Sequence, residues 1–361
     1  MAKEDRPYHR ILWRDLDTSR PATVYQAARL TFGDCASLYL AQYVIRTHAE
    51  SNEEKFPLAA TICTESMYMD DVMDSQDDDN VAIQARDQLS SLLAPAGFQV
   101  RRWCSNSTAV LEGIPEDECA TGVKVKESEL PSKKTLGTKW DAATDTFGFE
   151  FTAQNVSIHT KRALLSRVAT LFDPLQFLAP FIIRAKMILQ EAWIQGLGWD
   201  EEFSPNLSNR IAEWCLELPQ VSKMKIPRCY QDHQSANVSL HTFTDASSLA
   251  YAALTYMRSV SEDGRVAVTF VVARARVPPL KAVSIKRLEL MAALLGLHIA
   301  NKVSCVLERP LSQHTFWSDS MDVVHWVHVP GKVNPADQAT RGIGVHELIA
   351  GSSWLNGPEF L

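Results

Sequence analysis

Cysteine is sparse and unpatterned: seven residues, an odd number with no C-x-x-C pair, so neither a zinc knuckle nor a disulfide framework is encoded. A reducing compartment, cytoplasmic or nuclear, is the expected location. Long apolar runs are missing too. The longest, Leu290 to Ala300, is too short to span a bilayer and is flanked by Glu289 and Lys302. The opening Met1-Ala2-Lys3-Glu4-Asp5-Arg6 lacks the apolar run of a secretory leader, so no membrane partner is expected. Positive charge is not in excess either. A net charge of −7 argues against non-specific nucleic-acid binding by the chain as a whole, because neutralising phosphates needs clustered Lys and Arg. Asp-Thr/Ser-Gly triplets are absent as well. Asp319-Ser320-Met321 and Asp74-Ser75-Gln76 both fail that pattern, which an aspartic peptidase needs to place two carboxylates around one water.

What remains is an ordinary globular composition, 46% hydrophobic and 22% charged over 361 residues, enough for two or three domains with their own cores. The acidity is uneven. Residues 1–237 carry 25 basic and 33 acidic side chains, against 11 and 10 in 238–361. Seven aspartates lie between Asp70 and Asp87, with Arg86 as the one cation.

The stretch Leu240 to Arg258 organises the rest. It reads as a strand ending at Asp245, a turn of small polar residues, and a second strand carrying Tyr251, Leu254 and Tyr256. Gly264 to Arg274 reads as a third strand. Ile285, Leu288, Ala292, Leu295, Ile299, Val303 and Val306 step at helical spacing. This places Glu289 in a first helical turn, where the helix dipole alone would favour a carboxylate. Gln313 to Ser318 predicts a strand that delivers Asp319, and a loop from His328 leads to Asp337. Alone, an Asp after a strand reads as a turn residue capping its own backbone. Four carboxylates brought to one rim would repel one another unless cations sat between them. That is the arrangement of a two-metal site with ions roughly 3.5–4 Å apart.

Nearer the start, Tyr68-Met69-Asp70-Asp71 predicts an acidic turn. Asp78 to Leu93 has helical spacing, closed by Ala94-Pro95-Ala96-Gly97, and Phe98 to Cys104 follows as an expected strand. Arg101, Arg102, Lys124, Lys126, Lys133, Lys134 and Lys139 read equally as a phosphate-tracking stripe or as solvated surface. Residues 156–230 predict helices, one through Leu164 to Phe172 and one through Ile182 to Trp193. Trp193, Trp199 and Trp214 are assigned to the core rather than to base stacking. Ser204 to Asn209 and Gln231 to Asn237 read as linkers.

These motifs resemble a known family. The order strand Asp245, helix Glu289, strand Asp319, loop Asp337 is similar to ribonuclease H. The wording FTDAS, SIKRLEL, SDS and HVPGKVNPADQATRG resembles the RNase H region of Pao/BEL-type LTR retrotransposon Pol polyproteins. Lys161-Arg162-Ala163-Leu164-Leu165-Ser166, FDPLQFLAP and Trp199-Asp200 match that family's stretch between polymerase and RNase H, although its usual Gly after FDPL is Gln176 here. Tyr68-Met69-Asp70-Asp71, with Tyr8 to Asp15 and Thr23 to Gly33, is similar to the palm of its reverse transcriptase.

The resemblance implies an α+β or α/β chain. A partial reverse-transcriptase palm over 1–155 would precede a helical thumb or connection over 156–236. A shortened RNase H-like domain, a mixed sheet with helices, would occupy 237–345, and a tail 346–361. It also implies hydrolysis of RNA in RNA–DNA hybrids, with Mg²⁺ or Mn²⁺ held by Asp245, Glu289, Asp319 and Asp337. His328 would assist product release, and Asp70 and Asp71 would bind metal at the polymerase hairpin. The implied partners are nucleic acid and the rest of a Pol polyprotein. Two other readings stand beside this one: a degenerate nucleic-acid-binding remnant, and an aspartic peptidase, which rests on a family label. The first catalytic Asp of reverse transcriptases has no counterpart among Asp5, Asp15 and Asp17, so the polymerase part is expected to be incomplete. Only 18 positions separate Asp319 from Asp337, fewer than the family's interval.

Overall fold

The computed structural model describes residues 2–31, 33–120, 132–135, 138–151, 157–230, 235–323 and 325–361. The chain forms two compact units, Met1–Leu130 and Pro131–Leu361.

In the first unit, β1 (Arg10–Trp13) and β2 (Thr23–Gln26) make an antiparallel ladder whose eight residues are all exposed. Helices α1 (Ser37–Glu50), α2 (Pro57–Glu65) and α3 (Asp79–Leu93) bury a core that includes Ile45, Ala60, Ile62, Leu89 and Leu92. Helix α3 starts where the sequence predicts. The carboxylate of Asp78 accepts from the backbone N–H groups of Asn80 and Val81, two of the donors a helix start leaves open. Between α2 and α3 the two-residue strands β3 (Met67–Tyr68) and β4 (Asp71–Val72) form a hairpin, and after α3 comes the short α4 (Thr108–Leu111). The strand expected over Phe98 to Cys104 is reduced to one isolated bridge, Trp103 to Cys119. Arg102 has φ 61°, a left-handed conformation that turns the chain out of extension.

Among the described residues, the second unit holds two sheets. The smaller has the order β5 (Ser132–Thr135), β6 (Thr138–Asp141), β7 (Thr146–Gly148), β8 (Ile226–Pro227). Helices α5 (Lys161–Ala169), α6 (Ala179–Ile194) and α7 (Pro205–Glu217) lie between β7 and β8 in the chain. The larger sheet is built from β9 (Ser235–Ala246), β10 (Tyr251–Ser261), β11 (Val266–Arg276), β12 (His314–Ser318) and β13 (Val327–His328), in the order β11-β10-β9-β12-β13. Its first three strands are antiparallel; β12 runs parallel to β9, and β13 parallel to β12.

Helix α8 (Ile285–Val306) covers one face of this sheet, packing Leu288, Ala292, Leu295, Ile299 and Val303 against Leu240, Tyr251, Ala253 and Val271. By length and apolarity α8 would suffice to cross a bilayer, a longer element than the apolar run alone suggested. Here its inner stripe is buried on the strands. The other face buries Phe243, Leu254, Tyr256 and Phe270 in one cluster with residues of α5, α6 and α7 and of the short C-terminal helices α9 (Asp337–Arg341), α10 (Val345–Ile349) and α11 (Ser353–Asn356). The helices expected as a separate connection therefore share a core with the sheet. The expected tail does so too, since Trp354 is fully buried and its indole N–H donates to the Phe177 carbonyl at 2.9 Å.

Three local expectations need correction. Ser204 to Asn209 is no linker, because Ser204 is the N-cap of α7 and Pro205 its first residue, a position that suits proline. Of the second expected linker, residues 231–234 lie outside the described residues and Ser235 to Asn237 already belongs to β9. Of the three tryptophans, only Trp214 is core, stacked on Phe181 at 5.1 Å. Trp193 and Trp199 stay 43% and 42% exposed, with the Lys161 ammonium 3.4 Å from the Trp193 ring centre. Of the basic stripe, Lys124 and Lys126 lie outside the described residues.

Candidate metal centre

Strand register brings the first two acids together. Ser318 pairs with Thr244 across the parallel β12 and β9 ladder, so the residue that follows each, Asp319 and Asp245, reaches the same rim. Glu289 comes from α8. It sits beyond the first turn, which contains no acid, so the helix-dipole explanation of this carboxylate falls. What brings it close is Gly296, two turns further on: a Cβ there would lie 2.7 Å from the Thr244 methyl and 3.3 Å from that of Thr242. Only hydrogen at this position lets α8 lie so near β9.

Asp245, Glu289 and Asp319 each offer a carboxylate oxygen, and these atoms lie within 4.8 Å of one another. Asp245 is buried and the other two are half-buried. Burial, reinforced by the charges of Asp245, Asp319 and Asp322, pushes the Glu289 carboxyl up to about 8. Burial likewise raises Asp245, with Asp319 and Asp337 adding to the shift and a hydrogen bond from Thr340 opposing it. Glu289 Oε2 and Asp319 Oδ1 are buried with no hydrogen-bond partner among the described residues. Buried oxygens of like charge without donors are costly, and a divalent cation would relieve both the repulsion and the missing contacts. An all-oxygen, carboxylate-rich donor set suits a hard ion of the Mg²⁺ or Mn²⁺ kind.

The remaining expected residues do not join this group. Asp337 opens α9, and its Oδ1 accepts from Arg341 Nε at 2.6 Å; its charge is felt at Asp245. His328 is exposed on β13, in register with Ser318. Tyr68, Met69, Asp70 and Asp71 are exposed on the β3–β4 hairpin, where Tyr68 pairs with Asp71 and Met69 takes φ 56°. Among the described residues no third His, Cys, Asp or Glu completes a metal-binding group with Asp70 and Asp71.

Sequence reasoning missed the residues that hold the rim in place. Asn334 is buried and donates from Nδ2 to the Thr244 carbonyl at 2.9 Å. Gly331 closes over Asp319, where a Cβ would meet Oδ2 at 2.8 Å. The signal available was the concentration of Gly, Pro and Asn around Asp337, which marks a shaped turn without saying what it touches.

A mixed five-stranded sheet with two strand-tip aspartates and a facing helix glutamate defines an RNase H-like arrangement. Residues 160–320 match the family model described as the Pao retrotransposon-like RNaseH-like domain. The matched segment begins at Thr160, the N-cap of α5, and takes in α5 to α8 with β9 to β12, while β13 lies past its end. It contains Asp245, Glu289 and Asp319 and ends before Asp337. Among solved structures, the prototype foamy virus protease-reverse transcriptase is similar at 14% identity and a TM-score of 0.24, over 97% of this chain and 39% of that one. The chain therefore spans well under half the length of that protein. No curated protein matches.

Proposed function

We propose that the second unit is a divalent-cation-dependent nuclease that hydrolyses the RNA strand of RNA–DNA hybrids. The observation that carries this is the convergence of three carboxylates within 4.8 Å on an RNase H-like sheet, two of them with buried, unpartnered oxygens. Asp245, Glu289 and Asp319 would hold Mg²⁺ or Mn²⁺. Such an ion supplies Lewis acidity towards a phosphodiester and a nucleophile at neutral pH. The chain's own part is to fix three oxygens at one rim. Asp245 and Asp319 are set by adjacent strands and Glu289 by a helix held close to them. A hybrid would be recognised through its shape and 2′-hydroxyls, with little base specificity. Nucleic acid is the proposed partner, in the setting of a retrotransposon polyprotein.

Incubation of the purified chain with a labelled RNA–DNA hybrid and Mn²⁺ or Mg²⁺, beside Asp319→Asn, tests this. Cleavage by the parent and a loss of 100-fold or more in the variant, on the order expected when a metal-site carboxylate is removed, supports it. The ion pair that engages Asp337 with Arg341 favours one rival, a binding remnant without turnover. That reading takes over if parent and variant are equally silent while both retain the hybrid.

A further inference from the structure

The C-terminal segment after the family-matched region grips the tip of β9. Asn334 bonds the Thr244 carbonyl, and Ser247 Oγ donates to the Thr340 carbonyl at 2.9 Å. Between these two points lies Thr340 itself. Its side chain is fully buried, and its hydroxyl donates to Oδ2 of Asp245, a residue 4% exposed and 95 positions earlier in the chain. The same hydroxyl lies 3.1 Å from the Asp337 carbonyl. It has one proton to give, and a carboxylate is the stronger acceptor.

We propose that Thr340 is the positioning residue of the metal centre, fixing the rotation of the Asp245 carboxylate so that the group formed with Glu289 and Asp319 is set before any ion arrives. This rests on the reading of the three acids as a cation site. Without the Thr340 hydroxyl, the Asp245 side chain would be free to turn about its Cβ–Cγ bond. The other two acids would then face a moving third ligand, and ordering it would reduce the affinity for the ion. Thr340 lies within the short α9, so the C-terminal segment contributes to the centre through this hydroxyl whether or not Asp337 itself reaches an ion. The role is one of orientation, and Thr340 is not a ligand.

The test compares the full chain with Thr340→Val, which keeps the shape and removes the donor, and Thr340→Ser, which restores it. Mn²⁺ affinity is read by calorimetry, and melting temperature is read in EDTA. The expected result is Mn²⁺ binding weakened about 10-fold or more in T340V, the range typical of residues that orient metal ligands, with near-parent affinity in T340S. Should T340V fail to fold, Thr340→Ala replaces it, since a smaller side chain cannot overpack the site. A parent that binds Mn²⁺ and a folded T340V or T340A that binds it equally well would overturn the positioning role alone. A parent that binds no Mn²⁺ would overturn the metal reading, and this inference with it. A merely structural threonine would lower the melting temperature of T340V without changing Mn²⁺ affinity per folded molecule.

Discussion

His241 has its tautomer set by its neighbours. The Trp317 indole N–H can only donate, and it lies 3.1 Å from Nδ1, so Nδ1 accepts and the ring proton sits on Nε2, which donates to Ser239 Oγ at 3.0 Å. A second proton has no place to go without breaking the Trp317 bond. Burial, helped by Arg258 and His314, holds the folded ring down to about 4 against an ordinary 6.5. Between those values the unfolded chain binds a proton that the folded chain refuses. Stability therefore falls as pH drops through 6.5 and levels off near 4. In His241→Gln, which keeps an acceptor but cannot titrate in this range, that loss should shrink by on the order of 1 kcal/mol, allowing for partial exposure. Urea midpoints at pH 7 and pH 5 for both proteins measure it, and identical slopes would refute it. Nothing in the sequence marks this residue, since an alternating strand shows which faces exist but not which strand lies beside which.

Among the elements, α8 shows what a substitution without any loss of chemistry can do. Gly296→Ala ought to help an isolated helix by about 1 kcal/mol. Here the added methyl meets Thr244 and Thr242, and overpacking of this kind costs roughly 1–3 kcal/mol. The expected outcome is a net loss of about 1 kcal/mol together with weaker Mn²⁺ binding, because α8 carries Glu289 away from the strand tips. Thr244→Ser in the same chain removes the nearer methyl and should recover part of both, which thermal melts and calorimetry would show. The helix itself was legible in the sequence, since its apolar residues keep helical spacing over six turns. The strand tips were legible as well, because Asp245 and Asp319 close runs of β-forming residues. What the sequence could not show was contact between distant segments. Period alone does not say that Glu289 lies past the first turn, that Gln176 meets a strand, or that Thr340 reaches Asp245. Where local chemistry misled, as at Ser204 and Pro205, one composition serves both a linker and a helix start. At Arg102 a left-handed residue interrupts a stretch that otherwise favours extension.

For the whole molecule, the buried clusters sort by unit: Ile45 through Leu93 in one, and the sheet with its helices in the other. A fragment comprising residues 131–361 is accordingly expected to unfold cooperatively and to bind Mn²⁺ as the full chain does, checked by circular dichroism melts and calorimetry. Trp354→Ala within it should cost about 3–5 kcal/mol, because the fully buried indole packs on Phe270 of β11 and donates to the Phe177 carbonyl, and chemical denaturation would report that loss. The loop before α6 also shapes this unit. The Leu175 carbonyl accepts from the Ala273 N–H, and the Gln176 side-chain oxygen accepts from the Ala275 N–H, each at 2.9 Å. Gln176 does this from φ 61°, so its amide stands in for backbone along the outer side of β11. The consequence is directional. A foreign strand seeking to lengthen the sheet finds the Ala273 and Ala275 N–H groups of β11 already engaged by the chain itself and meets only the two residues of β13 at the other edge, which shortens the ladder either side can offer for edge-to-edge pairing.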